Sequence, residues 1–329
     1  MSSFEFKPAT REQTPLLVGL VGPSGCGKTY SALRLATGIQ TVVGGSIAVI
    51  DTEARRSLHY ADRFKFLHLA FDPPHGPDRY LEAIKAALQA GAKTIVVDSM
   101  SHEHEGNGGV LEQHETELDR LAGDDYRKRE AMNFLAWAKP KAARRKLING
   151  LLQMQANLVF CFRAKEKIKL LKDATGKTKP VQIGWQAIAG EEYVFEMTDR
   201  FLLPPGANGI PDLSEEARRE GVPKMPADHA SIVVPGAQLD ENMGSALAQW
   251  ALGSTPQSPK EPFDVHKLVK SFKAVGVTIQ EIRQHLGDRA PTADDKPELE
   301  RWYRERKRAH QAASASVPEG QQRPAGVDA

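Results

Sequence analysis

The chain has 329 residues, 40% of them hydrophobic, with 44 Lys and Arg against 42 Asp and Glu. That apolar fraction suits a protein that buries a core, no apolar run nears the roughly 18 residues of a membrane span, and two cysteines are too few for a disulfide framework. The near-zero net charge hides an asymmetry: residues 1–125 carry 12 basic and 17 acidic side chains, residues 126–182 carry 15 and 3, and residues 183–329 carry 17 and 22.

In chain order, short apolar runs alternate with helix-compatible stretches. Strands are predicted at Leu16–Val21, Ile47–Ile50, Thr94–Val97, Leu158–Phe162 and near Arg200–Leu203, and helices at Thr29–Gly38, Arg79–Ala90, Phe134–Gln155 and Trp185–Met197. The strands are continuously apolar, as in a parallel sheet covered on both faces, and the alternation is that of an α/β fold. Residues 204–247, rich in Pro, Gly and acids, read as irregular. The expected domains are an α/β core over 1–251, a linker over 252–262, a small helical module over 263–310 and a disordered tail over 311–329. Within the module, helices are predicted at Val265–Ala274, Ile279–Leu286 and Pro297–Ala309. The amino terminus, MSSFEFKPATREQ, lacks the layout of a secretion signal, so the expectation is a soluble cytoplasmic protein with no membrane partner.

Residues 22–29, GPSGCGKT, fit the pattern G-x-x-x-x-G-K-[ST] between a buried strand and a helix. Gly22, Pro23, Ser24, Gly25, Cys26, Gly27, Lys28, Thr29 and the adjoining Tyr30 are the candidate nucleotide-binding residues. Glycines let backbone N–H groups turn toward phosphates, and the following helix adds the positive end of its dipole. Lys28 reaches the β- and γ-phosphates of ATP, and Thr29 offers a hydroxyl to Mg²⁺. Asp98 ends the apolar strand of TIVVDS and suits a Walker B aspartate, the second metal ligand. The next residue is Ser99, where many oligomeric ATPase motors have a water-polarising Glu. Glu53, at the end of AVIDTE, is the candidate general base instead; Glu103 or Glu105 is held in reserve. The run His102–Glu105 lacks metal-ligand spacing and is expected to be a loop facing nucleotide or DNA.

VIDTE followed by IVVDS resembles the RecA-like recombinase core. GLVGPSGCGKTYSALRLA, AVIDTE, DSMSHEHEGNGG, FRAKEK and GWQ together resemble the phage-encoded AAA-family ATPases that include RecA-like single-strand annealing proteins, over roughly residues 5–250. The resemblance implies a RecA-like P-loop NTPase fold with a mainly parallel central sheet flanked by helices, ATP and Mg²⁺ as cofactors, and Glu53 as catalytic glutamate. It also implies two irregular DNA-binding segments and a nucleotide site between subunits of a homo-oligomer. Arg163 falls where a polar residue, an amide in RecA itself, senses the γ-phosphate and couples it to the second DNA-binding segment. The carboxy-terminal stretch resembles small helical modules of phage recombination proteins.

The +12 block divides into Arg127, Lys128 and Arg129, running on to Lys146, and a hairpin-like stretch with Lys165, Lys167, Lys169, Lys172, Lys177 and Lys179. Clustered cations neutralise nucleic-acid phosphates independently of sequence. Tyr126, Phe134, Trp137, Phe162 and Trp185 are possible base-stacking partners, each read first as a core residue. Two classes of function follow. One is a DNA-stimulated ATPase acting on single-stranded DNA in phage recombination, annealing or replication, alongside a phage recombination or single-strand-binding protein. The other is an assembly or partner-binding ATPase with no DNA role; a small-molecule kinase is a third reading that the resemblance to the RecA-like order disfavours.

Overall fold

The computed structural model describes residues 14–172, 176–219, 221–253, 270, 272–287 and 295–315. The chain divides into two compact units, Met1–Pro259 and Lys260–Ala329.

The first unit is built on a seven-stranded sheet in the order β3-β2-β4-β5-β1-β7, with β6 paired to β5 outside that path. The strands are β1 (Leu17–Gly22), β2 (Ser46–Asp51), β3 (Leu67–Ala70), β4 (Ala92–Asp98), β5 (Asn157–Lys172), β6 (Thr178–Ala187) and β7 (Asp199–Leu202). Every pair is parallel except β5–β6. Helix α1 (Lys28–Val43) follows β1, α2 (Pro77–Gln89) precedes β4, and α3 (His102–Glu105), α4 (Val110–Ala122), α5 (Tyr126–Ala136) and α6 (Ala138–Leu152) connect β4 to β5. Three more, α7 (Glu192–Glu196), α8 (Glu215–Arg219) and α9 (Glu241–Ala251), flank and follow β7.

The uninterrupted apolar strands serve two cores. Leu17, Val21, Ile95, Val97, Leu158, Phe160 and Phe162 point to one face, where Tyr80, Leu81 and Ile84 of α2 and Leu147, Ile148 and Leu151 of α6 cover them. Val18, Leu20, Val96, Val159 and Cys161 point to the other, against Leu33, Leu35 and Ile39 of α1 and Met243 and Leu247 of α9. This is the doubly covered sheet expected for such strands. Parallel register then brings several strand ends to one edge, with Gly22 opposite Arg163, Asp98 opposite Cys161, and Asp51 opposite Asp98.

Several predicted elements differ. The helix expected over Trp185–Met197 begins as strand: Glu166 pairs with Trp185 and Ala164 with Ala187, and only Glu192–Glu196 is helical. Cross-strand hydrogen bonds override local propensity there. The single helix expected over Phe134–Gln155 is divided at Trp137, which stacks on His114 at 4.1 Å. Pro140 then lies in the first turn of α6, where its missing N–H costs nothing. The irregular 204–247 region ends in α9, capped by Asp240 accepting the Met243 N–H at 2.8 Å.

The second unit has its own small core of Phe272, Val277, Ile282, Leu286 and Leu299, with Trp302 and Tyr303 against it. Helix α10 (Ile279–His285) carries a Thr278–Glu281 capping box. Helix α11 (Lys296–Ala315) runs beyond Ala309 into the stretch expected to be disordered. Residues 254–262 of the expected linker, most of the predicted Val265–Ala274 helix and residues 316–329 lie outside the described residues. Among the described residues, no helix is long and apolar enough to cross a membrane.

Candidate nucleotide site

The phosphate loop leaves β1 at Gly22 and enters α1 at Lys28. Gly27, the N-cap, has φ 95°, and an added Cβ would lie 2.9 Å from the backbone nitrogen of Gly209. Glycine is therefore required on both conformational and steric grounds. The first turn of α1 carries no acidic residue, leaving its dipole open to anions. The Lys28 ammonium donates to the carbonyls of Gly22 at 2.9 Å and Pro23 at 2.6 Å.

The loop borders a cleft of about 570 Å³, lined by Pro23, Ser24, Gly25, Gly27, Lys28, Thr29 and Tyr30 together with Glu53, Asp98 and Arg163. Gly22 and Cys26 do not line it. Gly22 is part of β1, and the Cys26 thiol turns inward, donating to the Pro23 carbonyl at 3.0 Å. Residues not singled out in the sequence also line it: Ala164 and Ile188 beside Arg163, and Arg56, His59 and Tyr60. The last three arrive on the 3-10 turn Arg56–Tyr60, and no short motif announces them. Tyr30 tilts against Tyr60 at 5.6 Å and meets Phe64 edge-on at 5.5 Å, giving the cleft an aromatic side.

Thr29 Oγ1 donates to Asp98 Oδ2 at 2.5 Å. Burial pushes the Asp98 carboxyl up to about 6, the Thr29 hydrogen bond opposing it and the negative charge of Glu53 reinforcing it. A desolvated carboxylate beside a hydroxyl fits Mg²⁺, which takes few protein oxygens and completes its shell with phosphates and water. Among the described residues no group of three or more His, Cys, Asp or Glu is placed to hold a metal ion.

Glu53 and Arg163 meet in a two-pronged ion pair, Arg163 Nε to Glu53 Oε1 at 2.8 Å and Arg163 Nη2 to Glu53 Oε2 at 2.6 Å. Burial acts to raise the Glu53 carboxyl, but the hydrogen bonds and charge of Arg163 outweigh it and hold the group below its ordinary range. Glu53 is therefore ionised at neutral pH, with both oxygens engaged. Asp51, beneath it, accepts from the N–H groups of Glu53 at 2.8 Å and Ser57 at 2.9 Å, and from the Ser57 hydroxyl at 2.5 Å. Asp51 thus fixes the loop that carries Glu53. Asp51→Ala strands these donors and is expected to lower unfolding free energy by about 3 kcal/mol, measured by urea denaturation.

The reserve bases separate. Glu105 lines the cleft, whereas Glu103 is fully buried in a pair with Arg144 and does not reach it. The run His102–Glu105 is a short helix whose side chains diverge, because helical geometry sends neighbouring residues to different faces.

The basic block is partly neutralised by the acidic flanks. Arg129 pairs with Glu115 and Asp119, Lys139 with Glu117, Arg144 with Glu103, Lys146 with Asp78, and Arg163 with Glu53. Arg129, a DNA-facing candidate, is accordingly engaged as a brace between α5 and α4. Arg127 and Lys128 are exposed on α5, and Lys165, Lys167, Lys177 and Lys179 are exposed on the β5–β6 hairpin; the side chains of Lys169 and Lys172 lie outside the described residues. Of the aromatic candidates, Phe162 is core and Trp185 is half-buried, but Tyr126 and Phe134 are 77% and 88% exposed. They were expected inside; α5 buries only Ala136, so its aromatic side chains face outward.

A parallel sheet with a phosphate loop, a buried Asp beside the loop threonine and an ionised Glu at the same edge define a P-loop nucleotide-binding ATPase. Residues 14–192 match the AAA domain family, and the chain belongs to that family. No curated protein matches the chain.

Proposed function

We propose that this ATPase has a RecA-like core and acts on single-stranded DNA in phage recombination, annealing or replication. The observation that carries the reading is the Glu53–Arg163 pair: the candidate base is held by the residue at which β5 leaves the sheet to become the basic hairpin. A ligand at the base of the hairpin would thereby adjoin the residue that holds the candidate base. Phe134, one heptad after Arg127 on α5, adds an exposed ring to a cationic surface, a combination suited to stacking bases and neutralising phosphates.

In this reading Lys28 neutralises the β- and γ-phosphates, the aromatic side of the cleft takes the base, and Thr29 and Asp98 hold Mg²⁺. When bound, Mg²⁺ supplies charge neutralisation at the phosphate oxygens. Glu53 orients water and accepts its proton once Arg163 releases one carboxylate oxygen. Arg163 then turns its charge to the γ-phosphate. Further proposals are a homo-oligomer with the nucleotide between subunits and a recombination or single-strand-binding protein as partner.

The test is ATPase rate and oligo-dT affinity across a salt series. Single-stranded DNA should raise the rate, and Lys165→Ala/Lys167→Ala should weaken DNA binding while sparing ATP affinity. Each lost phosphate contact should reduce the slope of log K against log salt by about 0.7. An unaltered slope, or no response of wild type to DNA, would defeat the reading. A second reading, a partner-binding ATPase, rests on Ile168 and Leu170, which are 64% and 68% exposed on the same hairpin.

A further inference from the structure

Beyond the cleft, a buried polar cluster lies between α3, α6 and α7. Arg144 donates from Nε to Glu103 Oε1 and from Nη2 to Glu103 Oε2, both at 3.0 Å. The same Nη2 is 2.8 Å from Nδ1 of His104. A guanidinium only donates, so that imidazole nitrogen is an acceptor and the ring is neutral. Burial first, then the charges of Arg144 and Lys167, push His104 down to about 4, in agreement. On its other side Arg144 Nη1 is 3.6 Å from Glu192 Oε2 of α7. A Cβ at Gly190 would lie 2.2 Å from Arg144 Nη1, so the chain leaving β6 passes close over the guanidinium and a side chain there would displace its end.

The other face of α3 meets the nucleotide site. The Thr52 hydroxyl accepts from the Ser99 N–H at 2.7 Å and is 2.6 Å from His102 Nδ1. Glu105 lines the cleft, and Ser101 Oγ accepts the Arg163 N–H at 2.8 Å. One six-residue run after Asp98 and Ser99 therefore touches the cleft, the start of the hairpin through Ser101, and the exit of the hairpin through Glu103, His104 and Arg144.

We propose that Arg144 is a positioning residue: clamped on Glu103 and His104 in front and Glu192 behind, it makes the root of the β5–β6 hairpin move with the segment that follows Asp98. Nucleotide at Asp98 and Thr29 is thereby felt at the hairpin. The use of this coupling by DNA rests on the function proposed above, but the coupling itself does not. Arg144 lies inside the basic block and is nevertheless withdrawn from any ligand, its side chain 5% exposed.

The experiment is amide hydrogen exchange over residues 163–172 and 178–191, with and without Mg²⁺ and a slowly hydrolysed ATP analogue. It compares wild type with Glu103→Met/Arg144→Met, in which both charges are removed together so that no buried ion is left unpaired. Wild type is expected to exchange at least threefold more slowly at the hairpin root when nucleotide binds. The double variant should bind nucleotide within about twofold of wild type yet lose that difference. Should the double variant not fold, Arg144→Lys, which keeps the charge but loses the two-pronged geometry, should at least halve the difference. An unchanged nucleotide response in a folded variant, or none in wild type, overturns the proposal. A parallel oligo-dT titration separates the two ideas: failure of wild type to bind DNA defeats the proposed function and leaves the exchange result standing.

Discussion

Glu53→Gln is expected to lower kcat by about 10²–10⁴-fold and to leave the affinity for ATP within a few-fold. The amide keeps the shape and can still accept from Arg163, so the Asp51-fixed loop remains in place. What disappears is a carboxylate able to take a proton from water. Its low proton affinity, set by Arg163 against the opposing effect of burial, keeps it ionised across the neutral range. Steady-state turnover together with fluorescent-nucleotide binding checks this. Turnover near wild type would transfer the role to Glu105, the other acid at the cleft not assigned to the metal.

Asp98→Asn should produce two opposite effects: loss of Mg²⁺-dependent hydrolysis and a more stable nucleotide-free protein. Burial raises the Asp98 carboxyl from an ordinary 3.8 to about 6. The folded state then holds a proton that the unfolded chain has released, so stability falls as pH rises from about 4 to about 6 and is level above. At roughly 1.4 kcal/mol per unit, the ionised group costs about 3 kcal/mol at neutral pH. Asparagine removes that cost, and a melting temperature higher by several degrees is expected in EDTA, with a flatter pH dependence over the same window. Glu53 and Asp51 are shifted downward; their stabilisation is lost only as pH falls through the acid range, which keeps the two contributions apart. A melting temperature equal to or below that of wild type would show that the carboxylate is already compensated without a cation.

Much of the cleft is legible along the chain because its parts are local. A phosphate loop needs glycines, a lysine and a hydroxyl within eight positions after a strand, Asp98 ends an apolar strand, and Glu53 lies two residues beyond the end of another. Parallel strands bring their carboxyl ends to one edge by construction, so these groups converge once the strands are recognised. The cleft's other wall was not readable: Arg56, His59 and Tyr60 sit on a turn with no periodicity, and their place depends on how Asp51 folds that turn over the loop.

Charge shows the same division. By itself the sequence determined the doubly covered parallel sheet, the phosphate loop and a +12 block between acidic flanks, because alternation, spacing and composition are properties of the chain. Only the tertiary structure decided which of those cations face outward. Arg129, itself a DNA-facing candidate, and Arg144, farther along the same basic block, are turned onto acids of α4 and α3, while Phe134, apolar enough to be expected inside, is left at the surface. Ion pairing and exposure depend on what lies across a gap, and the partners of the block's paired cations are 10 to 110 positions away along the chain. No pattern within one segment records that distance being closed.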